Sequence, residues 1–319
     1  MPTIAIAVHG GAGPDSEQIK QNIEGYKKGI EEAVQAGYRV LEEGGSALDA
    51  VEEAVNYLED NSLFNAGKGS VLNENGEVEM DASIMSGKDK KCGAVAIVHH
   101  VKNPVTLARA VMEKTPHIYL GDMGAISFAR QIHIEMRPDA YFFTEYNYEQ
   151  YEKTMQEQHR SPAEAADVEL RRKEHGTVGA VALDKDGNVA AATSTGGLDG
   201  KKASRIGDSS MIGVGSYADN NTCAISSTGD GEVLIQHVAA FQVSAIMEYK
   251  GLELQDACNF LIHRKCKEVK GDMGVIGVDP QGNIGFAFNS ERMHRGWRTS
   301  SQPLQVSIYP ENDAGSPSK

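Results

Sequence analysis

Apolar and polar positions along the chain divide it into alternating helical and extended blocks. Thr3 to Val8 is apolar with a strand-like rhythm and runs into His9-Gly10-Gly11-Ala12-Gly13-Pro14, which predicts a strand breaking at His9. Asp15 or Ser16 can cap a helix reaching to about Glu42. Ile19, Ile23, Tyr26, Ile30, Ala33, Val34, Val40 and Leu41 fall near helical spacing along it. Gly44-Gly45 ends that pattern, and Ser46 opens a second helix from Ala47 to about Glu59, with Leu48, Val51, Val55 and Leu58 on one face. Asn61 to Ser70 is too polar and glycine-rich for a helix. Asn75-Gly76 then predicts a hairpin turn, and Gly93 to Val98 a buried strand. Pro104 to Met112 and Asp122 to Ile132 read as helices.

From residue 138 to about 175 the composition turns to Tyr, Glu, Gln, Lys and Arg, which predicts an exposed helix and then a mobile charged linker. Beyond it the pattern changes sharply. Thr177 to Asp184 and Val189 to Thr195 flank Lys185-Asp-Gly-Asn188 as a hairpin. Two further hairpins are expected, Ser209 to Ser227 turning at Asp219-Asn220-Asn221 and Gly274 to Phe288 turning at Gln281-Gly282-Asn283. Helices at about Glu232–Tyr249 and Glu253–Val269 lie between them. Helices and strands come in blocks rather than alternating singly, which favours helices packed on antiparallel sheets over a doubly wound parallel sheet. The expectation is an α+β fold of four layers, αββα, forming a single domain over residues 1–319.

Composition narrows the functions. With 31 Lys and Arg against 45 Asp and Glu, the formal charge is −14, which argues against nucleic acid as a partner. No apolar run approaches the ~20 residues needed to cross a bilayer. The beginning lacks the basic region of a signal peptide. Cys92, Cys223, Cys258 and Cys266 show no paired spacing, so reduced thiols and a cytoplasmic protein are expected. Glycine is the outlier at 34 of 319 residues, a sign of tight turns or close backbone approaches.

Several chemistries fail on spacing. His9-Gly-Gly-Ala-Gly13 follows a strand but lacks G-x-G-x-x-G and a following Lys-Ser/Thr, so it is a poor phosphate cradle. His99 and His100 are neighbours in a strand and point to opposite faces, so they cannot share one metal ion. No nucleophile elbow of the G-x-S-x-G kind is present.

The junction His175-Gly176-Thr177 is different, because a charged linker ends in glycine and a strand begins at once with threonine. An internal threonine hydroxyl has no neighbouring base. A chain cut before Thr177 would give it an α-amine with a pKa of roughly 7.7–8.0, able to take the proton from its own Oγ. Gly176 tolerates a strained peptide at such a cut. On its own, the pair reads more simply as the start of a strand.

Separated blocks change that reading. VHGGAG at 8–13, LEDNSLFNAGKGSVLNENGEVEMDASIM at 58–85, KNPVTLARAVMEKTPH at 102–117, HGTVGAVALDKDGNVAAATSTGG at 175–197, RIGDS at 205–209 and SSTGDGE at 226–232 stand in a fixed order across most of residues 3–290. In these the chain resembles the plant-type asparaginase / isoaspartyl peptidase family of N-terminal-nucleophile (Ntn) hydrolases. The resemblance implies an αββα sandwich, self-cleavage before Thr177 into an α chain (1–176) and a β chain (177–319), and an (αβ)2 heterotetramer. It implies hydrolysis of isoaspartyl dipeptides and L-asparagine through an acyl-enzyme, with Thr177 as nucleophile first on Gly176 and then on substrate. No catalytic cofactor is implied. A structural sodium ion is, held by the backbone carbonyls of Leu58, Glu59, Asn61, Phe64, Ala66 and Lys68.

Chemistry assigns further roles on that frame. Thr195 ends the strand that hairpins back beside Thr177, where its hydroxyl could orient amine and Oγ. Thr228 and Gly229, just before a helix start, match the family's oxyanion donors and suit that task. Asn65 matches a family residue near the nucleophile, although an asparagine there also suits a turn. Arg205 can grip an α-carboxylate with parallel hydrogen bonds, and Asp208 can receive an α-ammonium. Together they would clamp the amino-acid end of an aspartyl group and leave its side-chain carbonyl facing Thr177. Two alternatives stand beside this reading: a glycosylasparaginase-like amidohydrolase, and an uncleaved binding or scaffold protein. The scaffold reading draws on the clamp loop, where Ser204 and Ser210 replace the glycine and proline of the usual G-R-V-G-D-S-P. In addition, Gly200 stands where the family has asparagine.

Overall fold

The computed structural model describes residues 3–158 and 176–310; the linker expected before the Gly176–Thr177 junction, with His175, lies outside the described residues. Among the described residues the strands are β1 (Ala5–Gly13), β2 (Met80–Ser86), β3 (Cys92–Val98), β4 (Tyr119–Gly121), β5 (Val178–Leu183), β6 (Val189–Thr195), β7 (Ser216–Ala218), β8 (Ala224–Gly229), β9 (Met273–Val278), β10 (Ile284–Phe288), β11 (Arg292–Thr299) and β12 (Gln305–Ser307). They form an eight-stranded sheet ordered β12-β11-β1-β5-β6-β2-β3-β4 and a four-stranded sheet ordered β10-β9-β8-β7. All pairings are antiparallel except β3 with β4.

The period-2 alternation of the strands builds the layers. Ile6 and Val8 of β1, Val178, Ala180 and Ala182 of β5, and Ala190 and Ala192 of β6 face one core. That core is shared with the helices α1 (Glu17–Gln21), α2 (Ile23–Glu42) and α3 (Ala47–Glu59). Their neighbours Ala5, Ala7, Val181, Leu183, Val189 and Ala191 face the opposite way, onto Ala224, Ile276 and Val278 of the small sheet. Ile225, Met273 and Val275 look outward from that sheet onto a third core of Leu234, Val243, Leu254 and Leu261. Three apolar interfaces separate four layers, so the expected α+β sandwich is the observed one. The inter-sheet layer is rich in alanine, which lets the sheets approach closely.

The remaining helices are α4 (Pro104–Lys114), α5 (Asp122–Gln131), α6 (Asp139–Phe142), α7 (Glu145–Gln158), α8 (Gly231–His237), α9 (Ala239–Lys250) and α10 (Leu254–Asn259), followed by a π-helical turn at Phe260–Lys265. Among the described residues no helix is long and apolar enough to cross a membrane. All four cysteines are free thiols, and three of them are buried.

Several local readings are corrected. The first strand does not break at His9 but continues to Gly13, buried throughout. Its glycines make a bulge against β11 between His9 and Ala12, with Gly11 at φ +110°. A side chain at Gly10 would strike the Phe64 ring. The long first helix is broken at Asn22, with Ser16 capping α1 by accepting the Ile19 N–H at 3.3 Å. Asn75-Gly76 forms a turn closed by Asn73 but joins no hairpin; β2 pairs with β3 and β6 instead. The helix expected over 232–249 is divided by Val238 at φ +47°, where the amides of Ala240 and Phe241 dock on the carbonyls of Val214 and Gly213. The tail from Met293, silent in the sequence, is β11, which zips onto β1 along Ala5–Gly13.

Candidate active site

β5 and β6 lie side by side in the middle of the large sheet, with Val178 opposite Ser194. That register puts Thr177, at the head of β5, beside Thr195, at the foot of β6. Both are buried. The Thr177 hydroxyl donates to Thr195 Oγ1 at 3.4 Å, and the Thr195 hydroxyl donates to the Gly176 carbonyl at 3.1 Å. Gly197 N–H also donates to Thr195 Oγ1, at 3.0 Å. A continuous path of hydrogen bonds therefore runs from the Thr177 hydroxyl to the carbonyl of the peptide that precedes it.

Behind this pair His9 is wholly buried on β1 and bonds Ser226 Oγ of β8 at 2.8 Å; Ser226 in turn bonds Thr193 Oγ1 at 2.8 Å. Burial drives the His9 pKa down to about 3 against a smaller opposing effect of a hydrogen bond to the Thr177 backbone, so this ring is neutral. Through Ser226 it ties β1 of the large sheet to β8 of the small one.

A small pocket opens in front of Thr177. Gly176, Thr177 and Thr195 line one side, and Arg205, Asp208, Gly229 and Gly231 line the other, with Gly197 and Leu198 between. The structure thus brings Arg205 and Asp208 to face the two threonines. Asp208 is buried, and its Oδ2 meets no hydrogen-bond donor among the described residues. Burial pushes its carboxyl up to about 7, opposed by the Arg205 charge. Arg205 spends Nε and Nη2 on Glu232 of α8, at 3.0 and 2.8 Å. Small residues keep the cavity open: a Cβ at Gly231 would stand 2.8 Å from Arg205 Nη2 and 3.0 Å from Asp208 Oδ1. Gly229 has φ +129°, and a Cβ there would lie 2.2 Å from the Asp272 carbonyl.

Thr228 lies just behind the lining. Its Oγ1 accepts the Ala12 N–H at 3.1 Å, which leaves its own hydrogen to give. Asn65 is also behind the wall. Its Nδ2 donates to the Gly197 carbonyl at 2.7 Å and its Oδ1 accepts the Val71 N–H at 3.0 Å. A Cβ on Gly176 would come 3.0 Å from Asn65 Cβ. Asn65 therefore fastens the 61–70 loop to the strand end carrying Thr195 and touches Gly176 rather than Thr177.

That loop folds tightly on itself. Gly67, at φ +54°, lies against the Glu59 carbonyl, and Gly69 lies against the carbonyls of Phe64 and Ser62; any side chain would fill these gaps. Glu59 is fully buried and its carboxyl is pushed up to about 8 by that burial, with Oε1 accepting the Val105 N–H. Among the described residues no cluster of His, Cys, Asp or Glu is placed to hold a metal ion.

Sequence reasoning missed Gly197, Leu198 and Gly231 in the lining, the Glu232 partner of Arg205, and Glu74, Glu79 and Asp81, whose carboxylates accept the amides of Ala203, Ser204 and Gly207. The SSTGDGE block contained Gly231 and Glu232. Their placement follows from the start of α8, which the pattern put near Glu232. The departures of the clamp loop also find physical reasons. Gly200 has φ +63° in a position where asparagine is the next most tolerant residue, and Ser204 adopts φ +66° where the family has glycine. Ser210 Oγ bonds the Tyr119 hydroxyl, a contact proline could not make.

Two facing sheets sheathed in helices, with a threonine at the head of a central strand, form the architecture of an Ntn hydrolase. The chain belongs to the asparaginase family, which it matches over residues 2–308. It is similar to the isoaspartyl peptidase of Salmonella typhimurium, 44% identical over 314 residues that take in 98% of this chain and 100% of the relative. It is also similar to the isoaspartyl peptidase of Escherichia coli, 41% identical with 98% of each chain covered. The isoaspartyl peptidase/L-asparaginase of Homo sapiens is 46% identical, with 89% of each chain covered.

Proposed function

We propose that this chain is a threonine-type Ntn amidohydrolase that cuts itself between Gly176 and Thr177 and then hydrolyses isoaspartyl dipeptides and L-asparagine. The hydrogen-bond path from Thr177 through Thr195 to the Gly176 carbonyl, facing Arg205 and Asp208 across one pocket, carries this reading.

In the uncut chain, Thr177 Oγ attacks the Gly176 carbonyl carbon. Its proton passes to Thr195 Oγ1 while the Thr195 proton goes to the carbonyl oxygen. Collapse passes the proton of the new hydroxyl to the nitrogen, breaks the C–N bond, leaves Gly176 esterified to Thr177 Oγ, and frees the Thr177 amine. Water then hydrolyses the ester, giving the chains 1–176 and 177–319. In the mature site that amine is the base for its own hydroxyl. Thr177 Oγ attacks the side-chain carbonyl of the substrate, with the Thr228 hydroxyl and the Gly229 N–H offered to the oxyanion. Ammonia or the amino acid departs with the proton the amine took, and water, deprotonated by the same amine, releases aspartate. Arg205 would hold the α-carboxylate and Asp208 the α-ammonium, whose charge favours the ionised form that burial opposes. Asn65 would serve as a positioning residue.

The 58–68 loop fits the structural sodium of the family. Glycines at 67 and 69 let carbonyls close inward, and each carbonyl that accepts one backbone N–H keeps a second lone pair. Leu58, Glu59, Asn61, Phe64, Ala66 and Lys68 would hold the ion by carbonyl oxygen and so steady Asn65. A thermal midpoint equal in sodium and choline chloride would count against it. Exposed Ile118, Tyr119 and Met123 beside the β4 edge support assembly into (αβ)2, which light scattering checks.

The decisive comparison is turnover of L-asparagine, a β-aspartyl dipeptide, the same dipeptide α-linked, and a glycosylated asparagine. Rapid hydrolysis of the first two alone supports the proposal. A preference for the glycosylated substrate would favour the glycosylasparaginase reading, and no turnover of any of them the scaffold.

A further inference from the structure

The loop bearing Arg205 and Asp208 does not support itself. It lies after the Gly176–Thr177 junction, yet it hangs from a segment far before it. Glu74 Oε1 accepts the Ala203 N–H at 3.1 Å. Both carboxylate oxygens of Glu79 accept the Ser204 N–H at 3.0 Å. Asp81 Oδ2 accepts the Gly207 N–H at 3.1 Å, while its Oδ1 takes the Ile97 N–H of β3 at 2.9 Å. Glu79 and Asp81 are 3% and 1% exposed. Two carboxylates so deeply placed need a cation, and Lys201 supplies it. Its ammonium is buried, donates to the Glu79 carbonyl at 2.7 Å, and stands 3.9 Å from Glu79 Oε2. Asp81 and Lys201 also attract one another, each partly offsetting the desolvation of the other.

This arrangement is more than packing, because of what it grips. Ser204 and Gly207 flank Arg205, and Asp208 follows directly. Ser204 is held in the left-handed region, at φ +66°, by the N–H bonds to Glu79. Release of those bonds would let it relax toward negative φ and swing Arg205 out of the pocket. Lys201 reaches the same wall from beneath: a Cβ on Gly197, which lines the pocket, would lie 2.9 Å from Lys201 Nζ.

We propose that Glu79 and Asp81, partly neutralised by Lys201, are positioning residues that set the amino-acid specificity of this site by fixing the backbone on either side of Arg205. The proposal rests on the clamp reading given under Proposed function. If the chain is cut before Thr177, the specificity loop of one fragment is tuned by carboxylates of the other.

The test uses Glu79→Gln and Asp81→Asn in the full chain, with three amides as probes. L-asparagine carries both clamp groups, succinamate lacks the α-ammonium, and β-alaninamide lacks the α-carboxylate. In the parent protein, asparagine should be strongly preferred over both analogues. Each variant should raise KM for asparagine about tenfold, with kcat within threefold. Turnover of β-alaninamide, which gives Arg205 no carboxylate to hold, should barely change while that of succinamate falls with asparagine, so the preference for asparagine over β-alaninamide drops about tenfold. Lys201→Met should do the same, and Glu79→Gln with Lys201→Met should together lose less than the product of the two separate losses. Equal losses on all three amides would reduce Glu79 and Asp81 to general scaffolding and overturn the proposal, as would an unchanged preference. Should the buried variants not fold, Glu74→Ala decides, since Glu74 is only partly buried. A two- to fivefold drop in preference is expected, and none would overturn the proposal. A parent protein that hydrolyses asparagine no better than succinamate contradicts the clamp itself, a different failure.

Discussion

The two walls of the pocket are built by different physics. The wall bearing Thr177 and Thr195 is neutral: hydroxyls, a glycine carbonyl and strand register, all within one β-hairpin whose partners are eighteen or nineteen residues apart in sequence. The wall bearing Arg205 and Asp208 is charged and sits on a loop whose supports come from residues 74–81, more than a hundred residues away. Strand geometry fixes hydroxyls cheaply because backbone pairing already sets their spacing. Buried charges need other charges and amides around them, since a buried ion without partners costs several kcal/mol. On the proposed reading the first wall makes bonds and the second tells one amino acid from another.

Substitutions should separate the two walls. Thr195→Val keeps shape but removes the hydroxyl between Thr177 and Gly176; kcat for asparagine should fall by about 10³-fold with little change in KM, and chain cutting should slow in parallel. A small effect on both would take Thr195 out of the reaction. Arg205→Ala should act on the other wall alone. KM for asparagine should rise by about 10²-fold, the worth of a lost bidentate charge-assisted contact, while the chain is still cut. The titration of Asp208 gives a third, smaller effect. Its carboxyl stands near 7 through burial, and the ionised form is the one that receives an ammonium. Binding is therefore lost as pH falls through about 7, and KM for asparagine should drop roughly tenfold between pH 6 and pH 8. A flat profile would mean Asp208 does not meet the substrate amine. Ser204→Gly should be the mildest: with φ at +66°, glycine relieves left-handed strain and raises stability by about 1 kcal/mol by chemical denaturation. A loss of stability would mean the Ser204 side chain outweighs the strain.

The same contrast explains what could be read from the chain before its structure. That Thr177 lies beside Thr195 was legible because period-2 patterning and the Lys185-Asp-Gly-Asn188 turn fix the register, whereas their roles came only from the resemblance. Arg205 and Asp208 were legible as a pair only through the resemblance, since R-x-x-D on its own is an ordinary surface motif. Glu79, Asp81 and Lys201 left no local trace, because their burial depends on a segment and a loop that meet only in the folded sheet. The same holds for β11, whose Arg292–Thr299 strand carries Arg292, His294 and Arg295. Its polarity hid a strand that is mostly buried against β1 and the helices. The His9-Gly-Gly bulge misled in the opposite direction, as glycines that read as a break permit close packing against Phe64. Propensity locates elements; it does not report which glycine is there for a neighbour's ring.

Everything proposed about chemistry begins with a cut between Gly176 and Thr177. N-terminal sequencing of the purified protein after prolonged incubation tests this most directly, with Thr177→Ala beside it. The account predicts a fragment beginning Thr-Val-Gly-Ala from the parent chain and one intact chain from the variant. A parent chain that stays whole while hydrolysing asparagine, or a variant cut at the same bond, would contradict it.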